Sequence, residues 1–146
     1  MDPATPSHVF ISYARADGTI AAGVMEERLR VAGFAVWRDV RALNPSADFS
    51  VEIETAISAA RAVVLCITPS LDRQDSFVRR EILYAQAKQR RIIPIRLAQA
   101  TIPVLVAHLT FIEASIDSQA SITTMIEAIV QRLRDDRPLP ATRPSA

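Results

Sequence analysis

The sequence predicts an α/β domain: a five-stranded parallel sheet with helices packed on both faces. Three observations carry this. Short β-branched runs alternate along the chain with segments whose apolar residues recur at helical spacing. The runs are continuously apolar rather than alternating, as in strands covered on both sides. The chain, 146 residues and 49% hydrophobic, is the size of one domain whose folding buries roughly two-thirds of its unfolded surface.

In order, the strands are expected at residues 8–13 (HVFISY), 34–37 (FAVW), 62–67 (AVVLCI), 91–96 (RIIPIR) and 109–112 (LTFI). Between the first two, Asp17 is placed to cap a helix carrying Ile20, Val24 and Leu29, and Gly33 stands where a left-handed residue ends it. Phe49, Ile53, Ile57 and Ala60 repeat at helical spacing behind Asp48. Ser76 is placed to cap a third helix with Val78, Ile82 and Ala85 inward, and Ile122, Ile126, Ile129 and Leu133 mark the last. The segment 98–107 is too short and irregular to assign. The ends differ from the rest: residues 1–7 read as an N-terminal extension, 8–134 as the domain, and 135–146 as a Pro-rich tail or a linker to a missing domain.

Composition excludes several functions. The 17 basic and 16 acidic side chains leave a formal charge of +1, with no electrostatic footprint for nucleic acid or an anionic membrane surface. One Cys and two His supply neither a structural zinc site nor a disulfide framework, so no metal and no resident cofactor are expected. No apolar run is long enough to span a membrane and no signal-peptide pattern opens the chain, so the expected compartment is the cytoplasm.

A parallel α/β sheet binds ligands at the carboxyl ends of its strands, which directs attention to the loops 13–19, 38–48 and 68–76. Gly18 and Gly23 have phosphate-loop spacing, but Val24 and Met25 stand where Lys and a hydroxyl are needed. The acidic residues of a phosphoryl-relay receiver are missing, since Tyr13 and Ile67-Thr68 occupy their places. Cys66, inside an apolar strand, reads as a small core residue, and His8 and His108 as strand-end residues. Trp37 reads either as a core residue of the second strand or as a contact surface. One pair remains. Phe77 and Glu81, four residues apart, share a helix face offset from the Val78/Ile82 stripe, so Glu81 is able to look into the crevice above the strands. The helix dipole keeps such a carboxylate ionised. The alternative is a solvated Glu81 paired with Arg79, Arg80 or Lys88.

These segments together resemble the TIR (Toll/interleukin-1 receptor) domain family, in its bacterial-type, NAD-cleaving branch. Residues 8–17 (HVFISYARAD) resemble the family's opening box, and 33–39 (GFAVWRD) its second strand and the start of its BB loop. Residues 59–70 (AARAVVLCITPS) resemble the third strand, 77–82 (FVRREI) the helix after it, and 91–95 (RIIPI) the fourth strand. The resemblance runs over about residues 8–134 and implies the flavodoxin-like, three-layer TIR fold.

It also implies an activity. NAD-cleaving TIR domains carry their catalytic Glu four residues beyond a Trp, and Glu81 falls at that position with Phe77 in place of the Trp. Tyr13 and Arg15 match ligand contacts after the first strand, Phe49 an aromatic at the end of the BB loop, and Asp39 the loop's first residue. Ala14 stands where some members have a second Arg, and Pro45-Ser46 replaces a frequent Pro-Gly pair. NAD+ is then substrate rather than cofactor, cleaved to nicotinamide and ADP-ribose or a cyclic isomer. The nicotinamidium departs as a neutral base, so the general acid that ordinary glycosides need is dispensable. The resemblance further implies homo-oligomers through TIR–TIR contacts including loop 39–49, a fused sensor or oligomerisation domain, and a role in bacterial immune signalling against phage. The rival readings are a non-catalytic scaffold, in which Trp37, the BB loop and the basic residues Arg79, Arg80, Lys88, Arg90 and Arg91 only mediate contacts, and an effector that mimics TIR adaptors.

Overall fold

The structure, a computed structural model, describes residues 8–38, 50–71 and 76–135; the side chains of Ser50, Ser76 and Phe77 fall outside that description. Five strands, β1 (His8–Ser12), β2 (Ala35–Arg38), β3 (Ala60–Ile67), β4 (Ile92–Leu97) and β5 (Ile112–Ala114), form one sheet in the order β2-β1-β3-β4-β5. Every pairing is parallel. The described residues include four helices: α1 (Thr19–Val31), α2 (Ser50–Ser58) and α3 (Ser76–Ala87) between strands, and α4 (Gln119–Leu133) after β5. A short 3-10 turn, Val104–Val106, lies between β4 and β5.

The continuous apolar runs are explained by two cores. Alternate strand residues point to opposite faces. Val9, Ile11, Val64, Cys66, Ile93 and Ile95 pack under α1 and α4 with Met25, Leu29, Ile126 and Ile129. Phe10, Val63, Leu65, Ile67 and Ile92 pack under α2 and α3 with Ile53, Ile57, Val78 and Ile82. The three-layer arrangement expected from the sequence is therefore present, and Cys66 is a core residue.

Helix ends follow local rules. Gly33 has φ +99° and closes α1 with Gly33 N–H on Arg30 O and Phe34 N–H on Leu29 O, both 3.0 Å, a Schellman turn. Ser118 caps α4 by accepting from Ser121 N–H at 3.1 Å. Several expected boundaries move. α1 starts at Thr19 with Gly18 as its N-cap, so Asp17 is not the cap, and Ile20 is 74% exposed rather than inward. Gly18 is there for close approach: its N–H meets Ala14 O at 2.8 Å, and a Cβ would lie 2.8 Å from that oxygen. α2 stops at Ser58, because Ala60 is drawn into β3 opposite His8. β5 is Ile112–Ala114 instead of 109–112. Asp48 lies outside the described residues, as does the Pro-rich tail beyond Asp135.

Candidate active site

In the order 2-1-3-4-5 the chain winds outward in opposite directions from β1 and β3. The loops leaving their carboxyl ends diverge there, and this is where such sheets bind ligands. Among the described residues the buried polar side chains are Ser12, Thr68 and Glu81, and all three belong to this switch point. Ser12 ends β1, Thr68 follows β3, and Glu81 projects from α3, the helix after β3.

Glu81 is 2% exposed and Ser12 fully buried. The Ser12 hydroxyl donates to Glu81 Oε1 at 2.6 Å across 69 residues of sequence. The solvated alternative for Glu81 is thus overturned: its neighbours Arg79 and Arg80 are exposed while the carboxylate turns inward. The geometry follows from the helix, since Val78, Ile82 and Ala85 bury the inner stripe and Glu81 sits beside it. Beyond the carboxyl ends of β1 and β3 Asp17 bridges the two loops. It accepts from Thr68 Oγ1 at 2.5 Å, from Ser70 N–H at 2.9 Å, and from the Ser70 hydroxyl.

The other expected site residues are placed as follows. Tyr13 follows Ser12 directly but packs into the α1/α4 core, with the Arg38 guanidinium 5.9 Å from its ring centre. Arg38 is in turn held by Glu26 at 3.0 Å. Burial alone would lower the Arg38 guanidinium, but the hydrogen bond and charge of Glu26, with smaller contributions from Tyr13, hold it above its ordinary value. Arg15 is exposed, and its carbonyl accepts from Thr19 Oγ1 at 3.0 Å. Phe77 is the second residue of α3, one turn before Glu81. Asp39 and Phe49, with the rest of loop 39–49, lie outside the described residues. Trp37 is half-buried and stacks on Phe10, ring centres 4.9 Å apart and planes 11° from parallel.

Ser12 and the Asp17 bridge are site features that the sequence reading misses. The available signal for Ser12 was a hydroxyl ending an otherwise apolar strand on the face of Phe10. Nothing local signals that Asp17 reaches Thr68. Among the described residues no group of three His, Cys, Asp or Glu side chains could hold a metal ion, and no helix is long and apolar enough to cross a membrane.

A sequence profile of the TIR domain matches residues 9–131. The chain belongs to the TIR domain family. Two curated relatives are similar over 94 residues, 60% of this chain: NAD(+) hydrolase tir-1 of Caenorhabditis elegans at 35% identity and NAD(+) hydrolase sarm1 of Drosophila melanogaster at 33%. The match spans only 10% and 7% of those proteins' lengths. Among solved structures, the TIR domain of the Toll-related receptor TRR-2 of Hydra magnipapillata superposes with a TM-score of 0.68 at 18% identity, covering 87% of this chain and 98% of that one. A TIR-STING receptor from C. gigas gives 0.68 at 23% identity over 95% of this chain and 43% of that one. A prokaryotic SEFIR domain gives 0.63 at 18% identity, covering 96% and 98%. These structural likenesses establish the TIR fold.

Proposed function

We propose that this TIR domain cleaves NAD+ at the nicotinamide–ribose bond, with Glu81 as its catalytic carboxylate. The observation that carries the reading is the burial of Glu81, Ser12 and Thr68 at the β1/β3 switch point of an otherwise apolar core. Polar groups taken out of water cost stability, and a fold that needed only packing would place apolar residues there. The similarity to relatives named NAD(+) hydrolases supplies the substrate class.

The chemistry suits one carboxylate. The bond between ribose C1′ and the pyridinium nitrogen breaks, and its electron pair neutralises the nicotinamide, so no proton is donated to the leaving group. Positive charge develops on the ribose, where Glu81 stabilises it; a preorganised group of this kind is worth on the order of 3 kcal/mol. Water then bonds to C1′ and releases its proton to solvent, giving ADP-ribose; attack by the substrate's own adenine nitrogen instead gives a cyclic isomer. In this reading Phe77 and Phe49 wall the nucleotide, Arg15 and Asp39 contact it from the rim, and Tyr13, packed in the α1/α4 core, supports the loop behind them. Activity is highest in homo-oligomers joined through loop 39–49, in the cytoplasm, with NAD depletion serving bacterial immune signalling.

The test is release of free nicotinamide by the purified domain at rising protein concentration, beside Glu81→Gln. Release that grows faster than linearly with concentration, and is lost in Glu81→Gln, supports the reading; no release from folded, assembled protein overturns it. The scaffold reading has its own support, because Arg79 and Arg80 on α3 and Lys88 just past its end are exposed. It predicts assembly that depends on those side chains and no nicotinamide at all.

A further inference from the structure

We infer that Ser12 is a positioning residue of this site, its hydroxyl helping to fix the plane of the Glu81 carboxylate relative to the ribose carbon that loses nicotinamide. The inference rests on the proposed NAD+ cleavage and adds a residue to it.

Three features converge on Ser12. Its Oγ lies 2.6 Å from Glu81 Oε1, within the range of short, charge-assisted O–H···O− bonds. It closes a central strand: β1 pairs with β2 through Ile11 on one side and with β3 on the other, where Ser12 itself is in register with Leu65. A group held by a central strand is placed more exactly than one on a loop. Finally, the side chain is fully buried on the face of Phe10, Val63 and Leu65, where a hydroxyl serves packing less well than a methyl group. A carboxylate sits at the end of three rotatable bonds, and each hydrogen bond to it narrows the orientations it can take. With Oε1 pinned, rotation about its last bond is restricted, and catalysis that depends on preorganisation gains from that restriction. Ser12 touches the carboxylate rather than the reacting carbon, so its effect belongs in kcat.

The experiment compares wild type with Ser12→Ala, Ser12→Thr and Ser12→Cys for nicotinamide release, with thermal unfolding of each. Removing the hydroxyl in Ser12→Ala is expected to lower kcat about tenfold or more with KM within about threefold, because an interaction used chiefly in the transition state is lost. Ser12→Thr, which keeps the hydroxyl, restores kcat to within about threefold, and Ser12→Cys, a weaker donor of similar size, falls between. The thiol variant decides the matter if the alanine variant fails to fold. A folded Ser12→Ala or Ser12→Cys protein with wild-type kcat overturns the inference, as does a threonine variant as impaired as alanine. Failure of the underlying reading looks different: wild type then releases no nicotinamide, or Glu81→Gln matches it, whatever stands at position 12.

Discussion

Cys66 lies fully buried in β3 against Met25, its Sγ 3.4 Å from the Met sulfur, and burial pushes its thiol from the ordinary 9.0 up to about 12. The neutral thiol is favoured in the fold. Its contribution to stability is complete below pH 9.0 and is lost as pH climbs towards about 12. An alkylating reagent at about pH 8 should therefore leave the native domain unmodified and label it only in denaturant, as read by intact mass; rapid labelling of folded protein would contradict this. Gly18 makes a second prediction. A Cβ there would sit 2.8 Å from the backbone oxygen of Ala14, which cannot move without shifting the end of β1. Gly18→Ala should cost about 1–3 kcal/mol in urea unfolding, the range of an overpacked site. At this scale the sequence was legible where chemistry and neighbours agree. Cys66, flanked by Val64, Leu65 and Ile67, reads as core from sequence alone. Ser12 does not, because its function depends on a carboxylate 69 residues away.

Elements were legible in existence and less so in their limits. The apolar spacing through Ile53 and Ile57 continues to Ala60, yet α2 ends at Ser58. Strand pairing with His8 outweighs helical periodicity at that point, and the spacing of a helix's inner stripe says nothing of where a partner strand begins. Asp17 is a good capping residue by type, but its carboxylate is occupied by Thr68 and Ser70, and Gly18 takes the cap position. Ile20 then faces solvent because the helix starts later and turns a different stripe inward. Pro94 stands inside β4, which a sheet tolerates because β5 pairs only with Ile95, Arg96 and Leu97 beyond it. The end of α4 shows a tertiary cap. Arg91 Nη1 donates to Arg132 O and Asp135 O, each at 2.9 Å, and Arg61 Nη2 donates to Leu133 O at 3.0 Å. These guanidiniums, placed by the starts of β3 and β4, satisfy carbonyls that the helix leaves open. Arg91→Ala should destabilise the domain by about 1 kcal/mol and speed amide exchange in the last turn of α4 more than in α1. Uniform acceleration across both helices would mean the cap is not local.

For the whole molecule, the strand order, the two cores and the buried carboxylate are one argument. A 2-1-3-4-5 sheet creates a crevice where its winding reverses, and among the described residues the buried polar side chains lie at that point. The fold was legible because five apolar runs in sequence leave few topologies open. The candidate site was half legible: α3 and Glu81 follow from spacing and family resemblance, while inward rotation of Glu81 depends on packing that spacing cannot give. The central claim is that this buried carboxylate performs chemistry rather than filling space. Nicotinamide release from NAD+ by the assembled domain, measured for wild type and for a Glu81→Gln variant of equal thermal stability, tests it most directly. Wild type should release nicotinamide, and the variant should lose about a hundredfold or more of that rate. Equal rates from the two proteins, or none from either, would contradict the claim.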